Sequence, residues 1–76
     1  MNLITEDESI AISYLKLWHK LLDRNMLKKD LEALAGITHY QMTKLSKGEN
    51  VSTEVIGRIC KALDCTPDDI MEFIEE

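Results

Sequence analysis

Five of the polar side chains between positions 39 and 47 are candidates for hydrogen bonds or ion pairs with a ligand. They are an imidazole, a phenol, a hydroxyl and two ammonium groups, on His39, Tyr40, Thr43, Lys44 and Lys47. An imidazole can hydrogen-bond a purine acceptor, an aromatic edge can contact a thymine methyl group, and a lysine can pair with a phosphate. The set therefore favours nucleic-acid recognition, although charge pattern alone would equally suit a solvated helix face.

Catalytic and metal chemistry find little support in the sequence. Cys60, Cys65, His19 and His39 form neither a C-x-x-C pair nor an H-x-x-x-H pair, so a zinc site is not expected. We interpret both cysteines as reduced thiols. No nucleophile, base and orienting group can be placed together, and no glycine-rich phosphate loop is present. We predict no enzyme activity and no cofactor.

The distribution of charge matters more than its sum of −5. All nine basic residues lie between positions 14 and 63 with only five acidic ones, so this stretch carries +4. The acidic residues collect near the ends, three over 6–8 and six from Asp64 onward. A basic centre suits contact with phosphates, and the acidic ends would repel DNA from the wrong side of the protein.

Length and composition indicate one small domain. A chain of 76 residues cannot support two independent cores. We predict an acidic, flexible tail over 1–8 and a folded domain over 9–76. The polar opening segment does not resemble a secretion signal and no apolar run is long enough to span a membrane, so we expect a cytoplasmic protein.

Apolar residues recur at three- and four-residue steps in five segments, which predicts five helices and no strand. Thr38 is suited to cap the third helix, Pro67 to begin the fifth, and Gly36 and Gly48 to end the second and third. We therefore predict an all-α protein. The helices should run from Ser9 or Ser13 to Arg24, from Lys28 to Ala35, over 38–47, from Ser52 or Thr53 to Leu63, and from Thr66 through Ile74.

The second and third helices form a helix-turn-helix unit around Gly36, in which the second of the pair can lie in the major groove of DNA. Its crossing angle should be fixed by five apolar residues, Leu31, Ala35, Ile37, Met42 and Leu45. With these facing inward, the polar set between 39 and 47 projects outward.

Five segments resemble the helix-turn-helix domain of Cro and phage repressors, particularly short stand-alone bacterial regulators. They are Leu17–Leu22, Lys29–Leu31, Ala35–Thr38, Met42–Gly48 and Ile59–Cys65, within roughly 14–74. The resemblance implies a compact five-helix domain that binds a double-stranded DNA operator, usually as a homodimer and often as a repressor. It also implies a set of DNA contacts, comprising Lys28, Thr38, His39, Tyr40, Thr43 and Lys44, with Lys47 on a phosphate.

The sequence departs from this family pattern at two positions. Leu27 stands where a capping Ser, Thr or Asn is usual, so one backbone N–H of the second helix needs another partner. Glu32 stands where many members have a small alanine. It should loosen the packing of the two helices or pair with a lysine.

Several interpretations stay open. Ile70, Met71, Phe73 and Ile74 are candidates for a dimer interface, although the core could use some of them. Trp18 belongs to the core or to a dimer surface. The alternative function is an antitoxin-like or adaptor module, in which the same scaffold binds a protein partner through its acidic ends.

Overall fold

The computed structural model describes residues 10–75, so the predicted tail over 1–8 lies outside the described residues. Four α-helices are framed by two short strands. The elements are β1 (Ile10–Ser13), α1 (Leu15–Asp23), α2 (Lys28–Ala35), α3 (His39–Ser46), α4 (Thr53–Leu63), a 3₁₀ turn (Pro67–Asp69) and β2 (Glu72–Glu75). The all-α class is confirmed, because the strands are a small addition to a helical core.

The core lies where the four helices converge. Its members come from every helix and include the five residues expected to lock the helix-turn-helix. Ile70 also belongs to the core, whereas Phe73 remains 69% exposed and Ile74 42% exposed. The buried residues are Tyr14, Leu17, Leu21, Leu31, Ala35, Ile37, Met42, Leu45, Val55, Ile56, Ile59, Cys60, Leu63 and Ile70.

The first helix begins later than either predicted start, at Leu15. The hydroxyl of Ser13 accepts a hydrogen bond from the N–H of Leu15 at 3.2 Å, but Ser13 itself lies in β1. Tyr14 follows as the N-cap, and its buried ring points into the core. Helix α1 thus starts directly after Tyr14 enters the core, because the residues before Tyr14 are paired with β2.

The predicted fifth helix is wrong beyond its first turn. The start signals work locally: the carboxylate of Asp69 accepts hydrogen bonds from the N–H and hydroxyl of Thr66 at 3.1 and 3.2 Å, which lowers the pKa of Asp69. The turn then ends at Asp69, and Ile70 is buried in the core. The following residues extend into β2.

Strands β1 and β2 form an antiparallel pair, which corrects the prediction of no strand. Ala11 lies opposite Ile74, Ile12 opposite Phe73, and Ser13 opposite Glu72. Each strand has only four residues. A strand this short gives little alternating pattern to recognise, and its partner lies at the other end of the described chain.

The C-terminus of α4 is closed by a Schellman motif, in which Asp64 adopts a left-handed conformation at φ 55°. The N–H of Cys65 donates to the carbonyl of Cys60 at 2.9 Å. Both cysteines are free, as interpreted from the sequence, and burial raises the pKa of the Cys60 thiol. A raised thiol pKa lowers the thiolate fraction, so Cys60 acts as a packing residue.

Within residues 10–75, no helix is long and apolar enough to cross a membrane, and no group of His, Cys, Asp and Glu is arranged to hold a metal ion.

A buried tyrosine provides a test of this packing. The Tyr14 hydroxyl donates to the carbonyl of Glu49 at 3.0 Å, joining the start of α1 to the loop before α4. Tyr14→Phe should lower the free energy of unfolding by about 1 kcal/mol at neutral pH. Urea denaturation followed by circular dichroism measures this difference.

The contribution of Tyr14 to the free energy of unfolding should also depend on pH. Burial raises the pKa of Tyr14 above its ordinary value, so the stabilisation it adds is complete below about pH 10 and is lost as pH rises further. The difference in free energy of unfolding between the parent chain and Tyr14→Phe should therefore become smaller at alkaline pH. The exposed Tyr40 provides the control, because Tyr40→Phe should leave stability unchanged at neutral pH. Equal stability of Tyr14→Phe and the parent would contradict the role given to the hydrogen bond.

Candidate nucleic-acid interface

The turn between α2 and α3 sets the orientation of the candidate interface. Gly36 has φ 72°, a left-handed conformation that favours glycine, and its N–H donates to the carbonyl of Glu32 at 2.9 Å. The next N–H, of Ile37, donates to the same carbonyl at 3.2 Å, and the Ile37 side chain is buried. A β-carbon on Gly36 would also lie 3.3 Å from a guanidinium nitrogen of Arg58. Backbone conformation and space therefore both favour glycine here.

Helix α3 begins with a capping box. The Thr38 hydroxyl accepts the N–H of Gln41 at 3.0 Å, and the Gln41 side chain accepts the N–H of Thr38 at 2.9 Å. The capping role predicted for Thr38 is thus confirmed. Gln41 was not among the predicted capping residues, although the spacing Thr-x-x-Gln is a signal that could have identified it.

The inner face of α3 is held by Met42 and Leu45, which are both buried. On the outer side, His39, Tyr40 and Lys47 are exposed, whereas Thr43 and Lys44 are half-buried. The structure therefore brings five of the seven candidate residues together on α3 and its C-cap, with Thr38 at the start of the same helix.

Two of these outer side chains have local partners. The Lys44 ammonium lies 5.5 Å from the centre of the Tyr40 ring, one helical turn away. The Thr43 hydroxyl donates to the carbonyl of His39 at 2.9 Å. Its proton is therefore used within the helix, and its lone pairs remain able to accept a hydrogen bond.

Lys28, the candidate residue on α2, reaches two other helices. Its ammonium group lies 4.3 Å from the centre of the Trp18 ring and donates to the hydroxyl of Ser46 at 2.9 Å. Trp18 is half-buried and packs against the core, in keeping with one of its two interpretations. Lys28 consequently places a positive charge beside the end of α3. No spacing pattern in the sequence pointed to Ser46 as its partner.

The start of α2 shows how the chain accommodates Leu27. The N–H of Asp30, which a capping hydroxyl would accept, donates to the Leu27 carbonyl at 3.0 Å. The Asp30 carboxylate accepts the N–H of Leu27 at 2.8 Å. Both donors thus have partners, and the carboxylate lies at the positive end of the helix dipole.

Glu32 pairs with a histidine, which corrects the expected pairing with lysine. Its carboxylate oxygen lies 3.1 Å from Nδ1 of His39, the first residue of α3. The nearby lysines have other partners. Lys28 contacts Trp18 and Ser46, and Lys44 contacts Tyr40. The glutamate therefore joins the two helices of the motif.

A shallow groove flanks α3 on the side of the next loop. It is bounded by the N-cap Thr38, by Tyr40, Gln41 and Lys44 of α3, and by loop residues that include Asn50. Asn50 is exposed there and was not among the candidate residues. Since its placement depends on the path of the loop, no local sequence pattern could have identified it.

An exposed polar face on the second helix of a rigid helix-turn-helix is the arrangement that enters the major groove in DNA-binding proteins. The sequence profile of the Cro/C1-type HTH DNA-binding domain matches residues 16–76. The chain belongs to this Cro/C1-type family. The earlier resemblance is thereby confirmed over most of the chain.

A solved structure agrees with the family assignment. The Cro/C1-type chain is similar to the crystal structure of transcriptional regulator VanUg, form II, with a TM-score of 0.88. The two sequences are 37% identical, and the match covers 99% of this chain and 100% of the other. No curated protein matches the sequence.

The capping box provides the prediction from this site. Thr38→Ala removes the acceptor for the N–H of Gln41 and should lower the free energy of unfolding by roughly 1 kcal/mol. Thr38→Ser keeps the hydroxyl and should retain most of that stability. Thermal unfolding of the three chains measures the effect. Thr53→Ala, at the exposed start of α4, is the control because Ser52 provides the cap there. Equal losses in Thr38→Ala and Thr38→Ser would show that the hydroxyl is not the stabilising group.

Proposed function

We propose that this Cro/C1-type chain is a sequence-specific transcriptional regulator, a cytoplasmic repressor that binds a DNA operator as a homodimer and reads its major groove with α3. The observation that carries the proposal is the outer face of α3, where His39, Tyr40, Thr43, Lys44 and Lys47 stand clear of a buried inner face. Family membership supports DNA as the ligand, and the similarity to a transcriptional regulator supports a role in regulation.

The side chains divide by the part of DNA they would contact. His39, Tyr40, Thr43 and Lys44 lie within the first six residues of α3. The second helix of a helix-turn-helix enters the groove and reaches base edges with its N-terminal residues. Lys47 is the C-cap of α3 and Lys28 reaches Ser46 at the end of the same helix, and both lysines are suited to phosphates. Thr38 would add a phosphate contact to its capping role. Lys28 has a defined position for this role, because Trp18 and Ser46 hold its ammonium group beside α3.

Repression requires only that the bound domain occupy its operator and exclude other proteins from it. A compact helix-turn-helix dimer can do this without a separate activating surface. The alternative, an antitoxin-like or adaptor module on the same fold, predicts binding to a protein partner in place of salt-sensitive binding to DNA.

The homodimer has a candidate interface in the sheet. One subunit offers a small recognition surface, and two could contact half-sites about 34 Å apart, one turn of DNA. Phe73 is 69% exposed on β2, and the described two-stranded sheet has unpaired outer edges that a second copy could extend. Ile70 is buried within the subunit and so cannot contribute to a dimer interface. The candidates that remain from the predicted interface are Met71, Phe73 and Ile74.

Two lysines on α3 provide the central test. An operator is first recovered by binding selection on random DNA, and its affinity is then titrated against salt. Lys44→Ala should weaken binding by roughly 1 to 3 kcal/mol if it reads a base, and Lys47→Ala should lower the salt slope by about 1.

Lys61→Ala is the matched control, because Lys61 is an exposed lysine on α4 in the groove that contains Leu34. It should leave base-dependent affinity unchanged. Unaltered affinity and salt slope in both α3 variants would move the binding surface elsewhere. A selection without enrichment, together with one stable protein partner in a pull-down, would favour the interaction module.

The dimer is tested by placing a charge on the sheet. Phe73→Glu should yield a monomer in sedimentation velocity and reduce affinity for a palindromic operator by roughly 100-fold, since two linked contacts become one. Leu34→Glu is the control, because Leu34 is likewise apolar and exposed but lies on α2. A dimer that survives Phe73→Glu would place the interface on another surface.

A further inference from the structure

His39 makes one side-chain contact that constrains its own chemistry. Its Nδ1 atom lies 3.1 Å from a carboxylate oxygen of Glu32. A carboxylate can only accept a hydrogen bond, so Nδ1 must carry the hydrogen. A neutral imidazole has a single ring hydrogen, and its other nitrogen is then an acceptor. In this pair the neutral ring therefore presents Nε2 as an acceptor.

The two partners differ in exposure. The side chain of His39 is 85% exposed, whereas that of Glu32 is 20% exposed. The carboxylate is thus largely covered while the imidazole remains open to a ligand. No hydrogen bond within residues 10–75 involves Nε2 of His39. Nε2 is therefore free to contact a ligand, and the bond from Nδ1 to Glu32 makes Nε2 an acceptor.

The neighbouring charged groups have other contacts. On α2, the Lys28 ammonium donates to Ser46, and on α3 the Lys44 ammonium lies over the Tyr40 ring. On α4, Arg58 approaches the turn at Gly36 but pairs with Glu54 at 2.9 Å. Asp30 accepts the backbone N–H at the start of α2. Among the described residues, Glu32 is the carboxylate partner of the His39 imidazole.

We propose that Glu32 is a positioning residue that determines base specificity by fixing the tautomer of His39; this inference rests on the proposed function. As an acceptor, Nε2 would recognise the amino group of adenine or cytosine in the major groove. It would disfavour the acceptor edges of guanine and thymine at the same position. The contact with a purine acceptor that was expected for this imidazole is thereby replaced, because Nε2 of the neutral ring has no hydrogen to donate.

The tautomer is measured directly in the full chain by nitrogen-15 NMR of the histidine rings at about pH 8, where histidine is ordinarily neutral. His39 should show the Nδ1–H form in the parent chain. In Glu32→Ala it should move toward the Nε2–H form, which an unconstrained histidine favours. The exposed His19 is an internal control and should be the same in both spectra. An Nε2–H form of His39 in the parent would overturn the proposal.

Base preference is measured by selection on random DNA with the parent, Glu32→Ala and Glu54→Ala. The parent should enrich adenine or cytosine at one position in each half-site, and Glu32→Ala should reduce that preference about fivefold, the contribution of one neutral hydrogen bond. Glu54→Ala is the control matched in charge, because it also removes one carboxylate, which in the parent pairs with Arg58 on α4. It should retain the preference.

The two proposals fail differently. No enrichment by the parent would refute the proposed DNA-binding function. Enrichment that is identical in the parent and Glu32→Ala, with circular dichroism showing both folded, would leave DNA binding in place and refute the role of Glu32. His39→Ala locates the position in question, because the preference there should disappear. If another position changes in Glu32→Ala, the glutamate acts through a different residue and the proposal is wrong.

Discussion

The structure depends on the fixed angle between α2 and α3. Gly36 turns the chain in a left-handed conformation, and Ile37 follows directly into the core. Leu31 on one helix and Met42 on the other are almost fully buried. Because closely packed interiors tolerate little change in volume, the outer face of α3 has one orientation relative to the rest of the domain. Rigid presentation of that face is what groove recognition needs.

Much of this arrangement could be predicted from the sequence, because helix periodicity and helix-end signals are local. Helix α2 has the predicted bounds, and α4 begins at Thr53 and ends at Leu63 as expected. The strands could not be predicted in the same way. Thr66 and Pro67 are good helix-starting residues, and they do start a turn. The burial of Ile70 and the pairing of β2 with β1 then override the local preference.

In the candidate site too, local features could be predicted and contacts between helices could not. The exposure of His39, Tyr40 and Lys47 follows from knowing that Met42 and Leu45 face inward, which spacing alone indicates. Contacts between helices needed the structure. The bond from Lys28 to Ser46 and the pairing of Glu32 with His39 depend on interhelical distance and side-chain conformation. The lysine partner expected for Glu32 was therefore wrong, although a polar contact across the motif was a sound expectation.

The two-stranded sheet also affects how the chain acquires its structure. The hydrogen bonds within each helix join residues four apart in the chain, whereas β1 and β2 pair across almost all of the described sequence. Closing so large a loop costs entropy that only the assembled helices can offset. The strands should therefore join last during folding and separate first during local opening, leaving the helix-turn-helix packed. Any surface built on this sheet would then be the least persistent part of the domain.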